Sequence, residues 1–140
     1  FLNGNNENID SIKKYIYNID PNIKIYQGEY VPLNINEFDK NDEYLIFSGI
    51  GNHKTFITML RKNNINVIRD LEFPDHYKYS QKDIDDIISV SEKLNCKILT
   101  TEKDYMRLNN NNKILYIKSE LKILNQEAFV NDISNVYENN

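Results

Sequence analysis

The fold is decided by residues 44–52, which read YLIFSGIGN. The first four of these residues form an unbroken apolar run, which is typical of a strand covered on both faces by other elements. Two glycines then break the run, and apolar side chains return at helical spacing at Phe56, Ile57 and Leu60. The stretch therefore predicts a buried strand, a tight turn and a helix, which together begin a βαβ unit.

The rest of the chain repeats this alternation. Apolar runs predict strands at 67–71, 97–100 and 114–117, the last of these being the final strand of the chain. Ser80 and Asp83 predict a capping box at the start of a helix between the first two. Helical spacing also predicts helices over 9–19 and 129–136 and one or two helical turns over 102–108. Alternating apolar residues predict a half-exposed strand over 23–30, after the first of these helices. We therefore predict an α/β fold, a three-layer α/β/α sandwich with a mainly parallel, Rossmann- or flavodoxin-like sheet.

Composition limits the class of protein. A chain of 140 residues fits one domain, and a net charge of −4 disfavours a nucleic-acid-binding surface. The single cysteine, Cys96, excludes an internal disulfide and indicates a reducing compartment. No apolar run approaches the ~18 residues of a membrane span, and no signal peptide is visible. Because the chain begins with Phe1 rather than Met, we expect that it was cut from something longer.

Two segments place ionisable side chains directly after predicted strands. Residues 73–77 read FPDHY, and residues 100–104 read TTEKD. The carboxyl ends of parallel strands meet at one edge of a sheet, which is where open α/β sheets bind ligands. Both segments and the 49–52 turn are expected at that edge. His76 is the natural proton handler among these side chains.

Each motif also has a structural interpretation. The glycine turn lacks the third glycine of a dinucleotide fingerprint and the Lys-Ser/Thr of a phosphate loop, so it can be a simple tight turn. Thr101 suits a helix N-cap. His76 can be a loop histidine bonded to a nearby carbonyl, and His53, at a helix start, is expected to be solvated. Tyr77 and Tyr79 can stack on a ligand or simply pack.

The acidic side chains of these segments suggest one hypothetical metal site, for Mg²⁺. Asp75, Glu102 and Asp104 are oxygen ligands of the kind that Mg²⁺ prefers. No cluster of histidine and cysteine supports zinc.

Three motifs resemble those of one enzyme family. Residues 48–52 with Phe56 resemble the GIGNPxxF turn of tetraacyldisaccharide 4′-kinases, with His53 where proline is usual. Residues 73–77 with Tyr79 are similar to the family's FPDHxxY, and residues 100–104 match its TTEKD. Residues 2–4 also resemble a short asparagine-glycine turn there. Order and spacing agree from residue 1 to about 117.

The resemblance implies a two-domain kinase that requires ATP and Mg²⁺ and acts at the cytoplasmic face of the inner membrane as a peripheral enzyme. Its substrate is a lipid disaccharide 1-phosphate, which it phosphorylates on the 4′-hydroxyl. Residues 1–140 would be the smaller C-terminal α/β domain, with 23–42 as a possible inter-domain ribbon and connection. The N-terminal domain, with the phosphate loop and most of the ATP and Mg²⁺ contacts, would be absent. This piece alone is then expected to be soluble and inactive, with no nucleic-acid partner.

The resemblance also assigns roles. His76 is implied as the histidine that pairs with a catalytic aspartate of the other domain, with Asp75 beside it as a further catalytic or loop-shaping residue. No metal ligand is implied in this chain. The turn is implied to contact the nucleotide, through Gly49, Ile50, Gly51 and Asn52. The TTEKD segment is implied to be a supporting loop, formed by Thr101, Glu102, Lys103 and Asp104.

Two other functions stay open. A strand followed by TTEKD also resembles the acidic loops of Mg²⁺-dependent PIN-like nucleases, although those need further acids near the first strand and residues 1–3 offer none. A non-enzymatic, flavodoxin-like binding module is the second alternative.

Overall fold

A computed structural model describes residues 2–3, 8–108 and 111–138. The chain divides into two compact units, one formed by residues 32–119 and the other by parts of 1–31 and 120–140. Numbered in chain order, the elements are β1 (Leu2–Asn3), α1 (Ile9–Ile19), β2 (Gln27–Pro32), β3 (Glu43–Ser48), α2 (His53–Lys62), β4 (Asn66–Glu72), α3 (Gln81–Leu94), β5 (Lys97–Thr101), α4 (Glu102–Tyr105), β6 (Ile114–Ile117), β7 (Ser119–Leu124) and α5 (Gln126–Glu138). A short 3₁₀ turn over Ile35–Glu37 precedes β3.

The unit of residues 32–119 is built on a four-stranded sheet with the order β4-β3-β5-β6. Every neighbouring pair of strands in it is parallel. The central strand, β3, has five consecutive buried residues, as its unbroken apolar run predicts. The predicted parallel sheet is therefore confirmed.

Alternate side chains of these strands enter two separate cores. On one face, Tyr44 and Ile46 pack with Phe56 and Leu60 of α2. On the other face, Leu45 and Phe47 pack with residues of α3, including Ile87. Helices thus cover both faces, and the predicted three-layer α/β/α sandwich is confirmed for this unit.

The second unit has a small sheet of its own, with the order β1-β2-β7. β1 and β2 run parallel. The ring of Tyr26 contacts Phe129 of α5 edge-on at 5.0 Å between centroids, and Lys24 forms an ion pair with Asp132 of the same helix. Helix α1 has the predicted bounds, yet none of its described residues is buried.

Several sequence-based boundaries were wrong. The strand expected over 23–30 begins only at Gln27 and continues to Pro32. β6 is not the last strand, because β7 follows it. Most side chains of β7 are exposed, and its apolar alternation is limited to Leu121 and Ile123. The asparagine-glycine turn expected at residues 2–4 cannot be compared with the structure, because Gly4 lies outside the described residues. No helix in the described part of the chain is long and apolar enough to cross a membrane.

Candidate functional site

The loop after β4 is fixed to the turn after β3. The backbone N–H of Phe73 donates to the carbonyl of Ser48 at 2.9 Å, and that of His76 donates to the carbonyl of Gly49 at 3.0 Å. The N–H of Tyr77 closes the loop by donating to the carbonyl of Pro74 at 3.1 Å. The FPDHY segment and the glycine turn therefore meet at the carboxyl edge of the sheet, as the sequence predicted.

His76 stands out in this loop by its conformation and its exposure. Its backbone lies in the left-handed region, with φ of 59°, which is uncommon for a residue other than glycine. Its side chain is 70% exposed. A left-handed residue in a loop pinned on both sides marks a position where the surrounding structure holds an unfavourable conformation, a feature that clusters at functional sites.

Arg107 holds the ring of His76. Its Nη2 lies 3.0 Å from Nδ1 of His76, while its Nη1 lies 3.2 Å from Oδ1 of Asp104 and 3.3 Å from the carbonyl of Gly49. The sequence motifs did not reveal Arg107. The available signal was its position three residues after Asp104, which places an acid and a base on one side of a helical turn.

Asp104 is the buried centre of the TTEKD loop. Its side chain is fully buried, and its Oδ2 accepts from the N–H of Gly49 at 3.1 Å and from the hydroxyl of Thr101 at 2.8 Å. Thr101 in turn caps α4 by accepting the N–H of Asp104 at 3.0 Å, which confirms the predicted N-cap. Glu102 is half-buried and Lys103 is exposed. All three motifs are thus joined through Asp104 and Arg107.

The glycine turn is tightly packed at its first residue. A Cβ atom on Gly49 would lie 3.0 Å from the hydroxyl of Tyr79 and 3.1 Å from the carbonyl oxygen of Pro74. A Cβ on Gly51 would meet Oδ2 of Asp75 at 3.4 Å, an ordinary contact. Close approach of the FPDHY loop therefore explains Gly49, and its N–H is already engaged by Asp104.

The other two residues of the turn belong to the helix start and the core. The side chain of Asn52 caps α2 by accepting the N–H of Thr55 at 3.0 Å. Ile50 packs against the core on the α2 face of the sheet.

An aromatic cluster supports the loop from beneath. Phe73 lies 5.0 Å from Tyr77 and 5.1 Å from Tyr79, and Phe47 lies 5.3 Å from Tyr79, measured between ring centroids. Burial, with the nearby Asp104 carboxylate, raises the pKa of Tyr79 well above its ordinary value. The packing interpretation of the two tyrosines is therefore the one that the geometry favours.

Asp75 stabilises the backbone of the loop and does not hold the imidazole of His76. Its Oδ1 accepts the backbone N–H of His76 at 3.0 Å. Its Oδ2 lies 3.8 Å from Nε2 of His76, too far for a hydrogen bond. Within the described residues, no three histidine, cysteine or acidic side chains are placed to hold a metal ion, so the magnesium site considered for Asp75, Glu102 and Asp104 does not form.

His53 corrects a second expectation, because it is buried rather than solvated. Its side chain is 2% exposed. Nδ1 lies 2.6 Å from the hydroxyl of Ser48, and Nε2 lies 3.3 Å from Oδ2 of Asp70. The carboxylate only accepts, so Nε2 of His53 donates to Asp70. His53 thus ties the first residue of α2 to the two neighbouring strands β3 and β4.

Comparison with known proteins places the chain in one family. The family model described as tetraacyldisaccharide-1-P 4′-kinase (LpxK) matches residues 4–138. The chain belongs to this family. It is 54% identical over 142 residues to the tetraacyldisaccharide 4′-kinase of Pelagibacter ubique, covering 100% of this chain and 45% of that protein. It is 38% identical over 105 residues to the tetraacyldisaccharide 4′-kinase of Rickettsia typhi, covering 74% of this chain and 32% of that protein.

The chain therefore spans less than half the length of these LpxK relatives. A crystal structure described as the "apo" form of LpxK from Aquifex aeolicus in complex with ATP covers 86% of this chain and 40% of that chain. It is 22% identical to this sequence, with a TM-score of 0.46.

Proposed function

We propose that this chain is the C-terminal lobe of a kinase that transfers the γ-phosphate of ATP to the 4′-hydroxyl of tetraacyldisaccharide 1-phosphate. Membership of the LpxK family supports the reaction class, and the 45% coverage of the Pelagibacter relative supports a lobe rather than a whole enzyme. The same membership favours a kinase over the PIN-like nuclease and over a non-enzymatic binding module. As a lobe of that enzyme, the chain would act at the cytoplasmic face of the inner membrane.

One observation carries the assignment of His76 as the catalytic residue of this lobe. Its exposed imidazole stands at the carboxyl edge of the parallel sheet in a left-handed loop, and Arg107 occupies Nδ1. A guanidinium only donates, so Nδ1 of the neutral ring accepts and Nε2 carries the proton. His76 therefore presents an N–H that can bond to a carboxylate on another lobe.

That N–H suggests how the lobe contributes to phosphoryl transfer. A catalytic aspartate of the other lobe would take the proton of the attacking hydroxyl. His76 Nε2–H would hold this carboxylate in position by donating a hydrogen bond to it. Because phosphoryl transfer depends chiefly on positioning and charge neutralisation, a histidine that arrives when the lobes close would also limit reaction with water.

The nucleotide and the metal would be held mainly by the other lobe. Mg²⁺–ATP supplies the phosphoryl group and neutralises charge as it transfers. The described residues of this chain form no cluster of metal ligands, and the sequence contains no phosphate-loop motif. The Gly49 amide is engaged by Asp104, so we assign any nucleotide contact of this lobe to the backbone of Ile50, Gly51 and Asn52.

A transfer assay tests the division of labour. We expect the 140-residue chain, incubated with radiolabelled ATP, Mg²⁺ and tetraacyldisaccharide 1-phosphate, to form no labelled lipid above a His76→Ala control. The kinase that includes this sequence together with a phosphate-loop lobe is expected to form it. Transfer by the short chain above its control would contradict the proposal, because the site would then be complete without the other lobe.

A further inference from the structure

The residues that connect the three motifs do not all touch the reaction. Arg107 contacts Nδ1 of His76, so it does not occupy Nε2, the ring nitrogen that the proposal assigns to the aspartate. Its side chain is 24% exposed, whereas Asp104, its ion-pair partner, is fully buried. Arg107 is thus a half-buried cation fixed at one end by a buried carboxylate, with its other end on an exposed imidazole.

We infer that Arg107 is a positioning residue for His76, which sets the direction and the tautomer of the imidazole during phosphoryl transfer. This inference rests on the proposed function of His76. The guanidinium is planar and rigid, and it offers several N–H donors in a fixed geometry. Its two terminal nitrogens are used separately, Nη1 on Asp104 and the Gly49 carbonyl, and Nη2 on His76. Arg107 therefore fixes the orientation of the His76 ring relative to buried groups at the edge of the sheet.

The loop backbone alone does not supply this control. The hydrogen bonds of the His76 N–H, to the Gly49 carbonyl and to Asp75, fix the position of the main chain. The exposed imidazole can still rotate about its side-chain bonds, and Asp75 lies beyond hydrogen-bond distance of Nε2. Among the described contacts, Arg107 is the one side chain that lies within hydrogen-bond distance of a ring nitrogen of His76.

Asp104 completes the arrangement by holding Arg107. A lysine at position 107 would keep the charge but has a single nitrogen, so it cannot bond Asp104, Gly49 and His76 in the same fork. A glutamine would lose the charge as well as the fork. The expected order of kcat in the intact kinase is therefore wild type, then Arg107→Lys, then Arg107→Gln.

A double-mutant cycle in the intact kinase tests the inference. We expect Arg107→Gln to lower kcat by roughly 10- to 100-fold, as for a misplaced catalytic group, with KM for ATP and for the lipid unchanged. In a His76→Ala background the same substitution should cause no further loss, because its effect passes through the imidazole. Arg61→Gln, an exposed arginine at the end of α2, is the matched control and should leave kcat unchanged.

The cycle separates the two claims. If His76→Ala itself leaves kcat unchanged, the proposed role of His76 is wrong. If His76→Ala lowers kcat but Arg107→Gln lowers it by the same further factor in both backgrounds, the role of His76 stands and the inference about Arg107 is overturned.

A measurement that needs no activity guards against a variant that folds poorly. The chain has two histidines, so side-chain nitrogen NMR of the 140-residue protein resolves both. We expect a single tautomer of His76 with an unprotonated, hydrogen-bonded Nδ1, and a mixture of tautomers in Arg107→Gln while the His53 signals stay in place. Identical His76 signals in the two proteins would overturn the inference.

Discussion

Nη2 of Arg107 lies 3.0 Å from Nδ1 of His76, although 31 residues separate them in the chain. Arg107 follows β5 and His76 follows β4, with β3 between these two strands in the sheet. The pair therefore spans the carboxyl edge over the central strand, directly above the Gly49 turn. This bond adds to the hydrogen bonds of Gly49 with His76 and Asp104, which join the three motifs into one assembly.

Gly49 and Gly51 offer a matched test of how closely that assembly packs. Neither has a left-handed backbone, so the available space decides the result. We expect Gly49→Ala to destabilise the chain by roughly 1–3 kcal/mol, because its Cβ would press on Pro74 and Tyr79. Gly51→Ala should be neutral or slightly stabilising. Urea unfolding of the two variants measures the difference, and equal unfolding free energies would contradict the packing account.

The two histidines should differ in what they control. His53→Ala leaves the buried hydroxyl of Ser48 without a partner, so we expect a loss of about 1–3 kcal/mol in the free energy of unfolding. His76→Ala should leave that free energy nearly unchanged, because its side chain is exposed. Lys54→Ala, at the neighbouring exposed position, is the control for His53 in urea unfolding. A His53 variant as stable as the control would refute the buried hydrogen-bond chain.

The capping box of α3 should give the chain a defined acid sensitivity. Hydrogen bonds from the hydroxyl and the N–H of Ser80 hold the pKa of Asp83 below its ordinary value of 3.8. A folded-state pKa below the unfolded one means that the stabilisation is complete above the ordinary value and is lost as pH falls through the folded pKa. Wild type should therefore be more stable than Asp83→Asn near neutral pH.

The difference between the two proteins should shrink as the pH falls below about 3.8. Urea unfolding at a series of pH values from roughly 6 to 2 measures it. A difference that stays constant over this range would show that Asp83 does not act through its charge.

The core of the fold could be predicted because its signals are local. The apolar run at 44–47 lies in a strand covered on both faces, and Ser80 with Asp83 forms the predicted capping box. β7 was missed because its alternating pattern is short and limited to Leu121 and Ile123. Strand β2 was misplaced because alternating isoleucines at 23 and 25 resemble a strand pattern, yet these residues lie outside any strand.

The site was predicted in its motifs but not in its connections. The order of strands brings Asp75, His76 and Asp104 to one edge, and each of these is part of a recognisable segment. Arg107 and the partners of His53 were missed because their contacts join segments that are distant in the chain. Burial of a single polar residue depends on such tertiary partners, and no local pattern encodes it.

The central claim is that this lobe delivers the imidazole of His76 to a catalytic aspartate on another lobe. The most direct measurement is kcat of the intact kinase for transfer from ATP to tetraacyldisaccharide 1-phosphate, compared between wild type and His76→Ala. We expect kcat to fall by roughly 10²–10⁴-fold while the unfolding free energy stays nearly the same. An unchanged kcat in a folded His76→Ala enzyme would contradict the claim.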